Sequence, residues 1–176
     1  KSYVCPSSAN ASKLNPYFSN YATSNYVACQ NVIYPQRSAR LAEITDGLSN
    51  TFLLGERRLA QEPAGKRSAA GIIYGRTSAS DASLAFHASW PINTGVKGFT
   101  STTLGSDSSC QRFAPSSFHP SGAMFTLCDG SVKFLSENIA RNPAAVPTTG
   151  CNNGGDNPPG SGANYNLGGP GPGFVY

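Results

Sequence analysis

The stretch Ala123-Met124-Phe125-Thr126-Leu127-Cys128-Asp129-Gly130-Ser131-Val132-Lys133-Phe134-Leu135 decides the reading of this 176-residue chain. Apolar residues alternate on both sides of an Asp-Gly pair, a strong short-range signal for two antiparallel strands joined by a tight turn. Leu127, Val132 and Phe134 are therefore assigned to one hairpin closed by a two-residue turn at Asp129-Gly130. Ser136-Glu137-Asn138-Ile139 follows as the start of a short helical turn.

Working upstream, Thr51-Phe52-Leu53-Leu54-Gly55-Glu56-Arg57 is a second β-rich apolar run. It is preceded by Thr45-Asp46-Gly47-Leu48-Ser49-Asn50, a turn punctuated by Asp-Gly. Arg40-Leu41-Ala42-Glu43-Ile44 alternates polar and apolar, and a short helical piece around 38–44 fits it as well. Asn25-Tyr26-Val27-Ala28-Cys29, Gly71-Ile72-Ile73-Tyr74-Gly75 and Leu84-Ala85-Phe86-His87-Ala88-Ser89-Trp90 read as further short strands. Tyr3-Val4-Cys5-Pro6 reads as strand followed by turn. The aromatic residues of the first 35 positions (Tyr3, Tyr17, Phe18, Tyr21, Tyr26, Tyr34) are expected to pack under loops. Downstream, 141–176 holds six of the 13 prolines and nine of the 19 glycines and forms a low-complexity extension. The division is thus 1–140, a globular head, and 141–176, a Gly/Pro/Asn-rich C-terminal extension.

Composition agrees with strands and loops. Charged residues make up only 12% of the chain, about half the usual share, whereas hydrophobic residues reach 39%. Helical bundles, coiled coils and charged disordered tails are disfavoured. No run approaches 18 apolar residues, so the sequence contains no membrane-spanning stretch. Net charge is +4. The basic residues between Arg37 and Arg76 are interleaved with Glu43, Asp46, Glu56 and Glu62, unlike the dense cation runs of a nucleic-acid groove, and no nucleic-acid partner is expected. Because Lys1 opens directly inside a structural element, the chain is expected to be part of a longer protein.

The five cysteines form no Cys-x-x-Cys and no Cys/His quartet, so no metal site is expected from them. Cys128 lies in an apolar strand and is expected to be free and half-buried. Cys5, Cys29, Cys110 and Cys151 lie in polar, turn-rich segments. Nearest-neighbour pairing in an oxidising compartment gives Cys5–Cys29 and Cys110–Cys151, one of three connectivities open to four cysteines.

Residues able to carry chemistry are few. His119 and Asp129 would stand roughly 30 Å apart along an extended strand, too far for a dyad. There is no Gly-x-Ser-x-Gly elbow, no P-loop and no dinucleotide fingerprint. Asn152-Asn153-Gly154-Gly155-Asp156-Asn157 is rich in oxygen ligands, but Asp156 is its single carboxylate, which makes it at best a weak calcium candidate. No catalytic residue and no cofactor is assigned.

His119, nine intervening residues and Asp129-Gly130 resemble the motif that defines the prepilin-type processing-associated H-x9-D-G domain. Phe118-His119-Pro120-Ser121-Gly122-Ala123-Met124-Phe125 and Asp129-Gly130-Ser131-Val132-Lys133-Phe134 are similar to that family's S-x-H-P-G-G-A-N-F…D-G-S-V-R-F. Ser121 stands where the pattern has Gly, and Met124 where it has Asn. Ile44-Thr45-Asp46-Gly47-Leu48-Ser49-Asn50-Thr51 and Gly55-Glu56-Arg57 are similar to its I-T-D-G-T-S-N-T…G-E-R, and Tyr3-Val4-Cys5-Pro6-Ser7 to its F-L-C-P-S-D. His119, Asp129, Gly130, Asp46, Gly47, Asn50, Gly55 and Glu56 are therefore marked as structural-motif residues, with His119 expected against the Thr45-Asp46-Gly47 loop.

The resemblance implies a bacterial pilin- or pseudopilin-like protein of the type II secretion kind. It would be extracellular, periplasmic or at the cell surface, and anchored in the membrane only through an apolar N-terminal helix absent from this sequence. The expected fold is α+β or mainly β: an antiparallel sheet with long irregular loops, a head lacking its N-terminal helix. The expected role is non-enzymatic assembly into or onto a filament or envelope structure. The partners would be the missing helical part, further copies, or other pilin-like subunits. A carbohydrate- or solute-binding module using loop tyrosines and Trp90, and a hydrolase using His119, are the alternatives.

Overall fold

Three short runs rich in β-branched, aromatic and aliphatic residues, around Val27, Phe52 and Phe125, lie side by side and build the centre of the molecule. The computed structural model describes residues 3–8, 14–15, 20–29, 32–34, 37–61, 67–68, 71–72, 84–86, 88, 92–93 and 114–139. In chain order the strands are β1 (Leu14–Asn15), β2 (Tyr21–Ser24), β3 (Tyr26–Cys29), β4 (Ile33–Tyr34), β5 (Arg37–Ser38) and β6 (Phe52–Glu56). They continue with β7 (Ala60–Gln61), β8 (Arg67–Ser68), β9 (Gly71–Ile72), β10 (Ala85–Phe86), β11 (Gly122–Leu127) and β12 (Val132–Ser136). The five-stranded sheet has the order β10-β3-β6-β11-β12. Its pairings are antiparallel except for the short parallel contact of β10 with β3. The fold is mainly β. Among the described residues the helical pieces are two single 3₁₀ turns, Leu41–Glu43 and Leu48–Asn50, and none is long and apolar enough to cross a membrane.

Strand alternation divides the sheet into two faces. Val27, Phe125 and Leu127 point to one side and form the core with Cys29, Phe86, Ala123 and Leu135. Phe52 joins them because the β6–β11 register shifts by one residue between Leu54 and Phe52, which turns Phe52 to the core side. Phe125 is its centre, with ring centroids 4.8 Å from Phe52 and 5.8 Å from Phe86. This aromatic trio can approach the sheet because β6 carries Gly55. A Cβ there would stand 2.9 Å from Phe86 and 3.0 Å from Phe125.

On the opposite face lie Tyr26 and Ala28, Leu54 and Glu56, Met124 and Thr126, and Val132 and Phe134, joined by direct cross-strand pairing. Ala28, Leu54, Met124 and Thr126 are only half-buried. At the β12 edge Val132 is 59% and Phe134 49% exposed. The sheet is thus well covered on one side, while the other is partly covered at its centre and open and apolar at the β12 edge.

The hairpin of β11 and β12 forms with the expected strands but a longer turn. Leu127 N donates to Ser131 O at 2.8 Å and Gly130 N to Leu127 O at 2.9 Å, so the loop is Cys128-Asp129-Gly130. Gly130 has φ +85°. A three-residue loop ending in a left-handed glycine matches strand twist better than a plain type I turn on two residues. Asp129 Oδ1 accepts from Ser131 N (2.9 Å) and Ser131 Oγ (2.7 Å), and these bonds hold its carboxyl below the usual aspartate range.

Two other expectations are corrected. Residues 3–8 form turns rather than a strand: Ser8 N donates to Cys5 O at 2.9 Å. Tyr3, Tyr21 and Tyr26 are exposed rather than packed under loops. Tyr17, Phe18, His87, Trp90, the long 95–110 loop and the 141–176 extension lie outside the described residues.

Ser121, at the position where the H-x9-D-G pattern has glycine, has φ +59°. A left-handed backbone costs an L-residue about 1–2 kcal/mol relative to its preferred regions, while glycine tolerates it. Ser121→Gly is therefore expected to raise the unfolding free energy by about 0.5–1 kcal/mol, read as a higher denaturation midpoint. An unchanged or lower midpoint would refute this.

Candidate functional site

Asn25, at the junction of β2 and β3, organises the polar end of the second face. Its N–H donates to Tyr3 O (2.8 Å), its Oδ1 accepts from Cys5 N (2.9 Å), and its Nδ2 donates to Arg57 O (3.0 Å). A buried residue whose backbone N–H and both side-chain polar groups are satisfied pins the 3–8 turn against the end of β6. The pin seats Cys5, itself buried, over Glu56.

Glu56 closes β6. Its side chain is only 4% exposed, yet both carboxylate oxygens have partners. Oε2 accepts from Met124 N at 2.8 Å and Oε1 lies 3.3 Å from His119 Nε2. The His119 loop is held in turn: Ser117 Oγ accepts from His119 N at 3.0 Å and donates to Gly122 O at 2.5 Å, and Ser117 N donates to Asn93 Oδ1 at 3.0 Å. The imidazole is about one-third exposed (33%).

Cys5 Sγ completes the cluster, 3.7 Å from the same His119 Nε2 and 3.0 Å from Ser7 Oγ. Tyr26 lies beside it. Burial first, then the neighbouring Cys5 and Glu56, push its phenol above the usual range. Beside these groups is a small depression whose wall includes Ser8, Ser116 and Phe118, with the Arg58 guanidinium 4.9 Å above the Phe118 ring.

Cys5 carries a free thiol, so the expected Cys5–Cys29 disulfide does not form. Cys5 is tethered at the level of Asn25, whereas Cys29 sits four residues further along β3, about 13 Å at strand rise, on the opposite side in the core. Cys128 is a half-buried free thiol whose pKa is pushed up by burial and by nearby Asp129. Cys110, Cys151 and Asp156 lie outside the described residues.

The motif residues gather at the two ends of β11. At its start, His119 meets Glu56 of Gly-Glu-Arg and Cys5 of Cys-Pro-Ser, not the Thr45-Asp46-Gly47 loop. At its far end the segment that follows that loop, residues 48–51, meets the Asp129-Gly130 hairpin instead. Asp129 N donates to Leu48 O (3.2 Å), Cys128 N to Thr51 O (2.8 Å), and Lys133 Nζ to Ser49 O (3.5 Å). Asn50 Nδ2 binds Asp46 O (3.1 Å) and Thr51 Oγ1 binds Gly47 O (3.0 Å), which shapes the loop from within. His119 and Asp129 thus serve separate ends of the strand.

The cluster does not have the form of a proton relay. In a relay the base uses one ring nitrogen toward the nucleophile and the other toward the orienting carboxylate. Here Cys5 and Glu56 both face Nε2. Ser117 Oγ is engaged with two backbone groups, donating to Gly122 O and accepting from His119 N. Sequence reasoning marked Glu56 and His119 but read Cys5 as a disulfide partner and gave Tyr26 and Ser7 no place here. The co-occurrence of Cys-Pro-Ser, Gly-Glu-Arg and His-Pro was the available signal.

Residues 1–142 match the model of a family described as a protein of unknown function (DUF1559), SBP_bac_10. No curated protein and no solved structure matches the chain.

Proposed function

Taking as premise that the chain belongs to the DUF1559 family, we propose that it is the head of a non-enzymatic, pilin-like assembly protein of the H-x9-D-G type. It would act at the cell surface or in a secretion-associated envelope structure, anchored by an apolar N-terminal helix of the longer protein. The observation that carries this reading is the second face of the main sheet, half-buried at its centre and exposed at its β12 edge. Leu54, Met124, Thr126, Val132 and Phe134 make it apolar, and it runs out to the edge strand β12. Monomeric proteins seldom leave a continuous apolar face of this kind exposed, and an exposed edge strand invites further pairing. A helix laid along the face, or the same face of another copy, would bury it. The scarcity of charge suits close lateral packing.

A second reading, a carbohydrate- or solute-binding surface, is favoured only by the exposure of Tyr3, Tyr21 and Tyr26. Among the described residues, Phe118 is the one aromatic wall of the depression beside Cys5, which is less than the stacked platform a sugar ring takes. The association state of the chain, with and without charges placed on the β12 edge, tests the assembly reading.

A further inference from the structure

Cys5 Sγ, Glu56 Oε1 and His119 Nε2 come from three segments far apart in sequence and converge on one point. We propose that these three residues form a binding site for a zinc-class divalent cation. Thiolate, imidazole and carboxylate are the ligand types such an ion takes, at about 2.3, 2.0–2.1 and 2.0–2.2 Å. Tetrahedral bonds of those lengths set ligand atoms about 3.6 Å apart for sulfur to nitrogen and about 3.4 Å for nitrogen to oxygen. The observed sulfur–nitrogen and nitrogen–oxygen separations are 3.7 Å and 3.3 Å. Sulfur and oxygen lie within 4.8 Å of each other, against about 3.6 Å for a tetrahedral pair, so that this side of the triangle would close when an ion binds.

The sharing of one ring nitrogen, which disqualifies a relay, is what a common metal would demand. Two of the ligands are also held from behind at the side chain, and the third through its loop. Met124 N–H holds the other Glu56 oxygen, the Ser7 hydroxyl lies against the Cys5 sulfur, and Ser117 Oγ takes the His119 backbone N–H. Glu56 and Cys5 are buried while the imidazole is partly exposed, so an ion has an entry path and a fourth position for water. Binding would release the Cys5 thiol proton and place the ring proton of His119 on Nδ1. The ion would then staple the 3–8 turn, β6 and the loop before β11. This inference does not depend on the assembly reading.

The test uses the full chain, reduced and stripped with chelator, titrated with Co²⁺ and then Zn²⁺. The expected result is one equivalent of Co²⁺ with a thiolate-to-metal charge-transfer band and tetrahedral ligand-field absorption. Zn²⁺ should displace it and raise the melting temperature. Cys5→Ser should abolish the charge-transfer band and His119→Gln should weaken Co²⁺ binding at least about 100-fold, while Cys128→Ser keeps both. A folded wild-type chain without the band, or a band that survives Cys5→Ser or disappears in Cys128→Ser, overturns the proposal. Should Cys5→Ser not fold, His119→Gln decides: affinity within tenfold of wild type overturns it.

Discussion

Phe125→Ala is expected to lower the unfolding free energy by about 3–5 kcal/mol, a fall in melting temperature on the order of 10 °C for a chain of this length. Phe125 stands on β11, between β6 and β12, and is 1% exposed. Its ring lies against both Phe52 and Phe86, while the backbone beneath it belongs to Gly55. A glycine has no side chain to move into the space left by a lost ring, and the flanking strands are fixed by ladder bonds. The cavity would therefore persist, which places the cost at the upper end of the range for a buried aromatic. Urea unfolding of the two proteins checks this. A loss below about 1 kcal/mol would mean that the core is not organised around this ring.

Glu56→Ala is expected to cost about 3 kcal/mol, with Glu56→Gln costing about 1 kcal/mol, both measured in chelator. Alanine leaves the half-buried Met124 N–H without its acceptor and withdraws the group that His119 faces. Glutamine keeps a carbonyl oxygen for Met124 and gives up only the charge toward His119. The ordering is the informative part. Equal losses for the two variants would show that charge, not the hydrogen bond across β6 and β11, is what Glu56 contributes. A loss of less than about 0.5 kcal/mol for alanine would contradict the structural role assigned to it.

The hairpin was legible because one-to-one alternation around Asp-Gly has few competing readings. Its loop was misjudged by one residue because Cys128 is apolar enough to pass for strand, whereas the backbone needs it inside the turn. Gly55 was legible only as part of Gly-Glu-Arg. Its physical reason, the approach of Phe86 and Phe125, depends on which strand crosses over it, and strand order leaves no local mark. Cys5 illustrates the limit most directly. Its polar neighbours suggested an exposed half-cystine, but Asn25, twenty residues on, draws the turn down and buries the sulfur against Glu56 and His119. Glu56 occupies a position that alternation alone assigns to an open face. The two loops that fold over it, one from each end of the head, are what bury it.

The second face of the main sheet, with its exposed β12 edge, is the proposed assembly surface. Light scattering on the 176-residue chain, beside the double variant Val132→Lys and Phe134→Lys, tests it most directly. Both positions are exposed and lie outside the core, so the variant should melt as cooperatively as the parent. The parent is expected to associate in a concentration-dependent way, and the two lysines to shift it to monomer. A parent chain that stays monomeric across the concentration range, with cooperative melting, would contradict it.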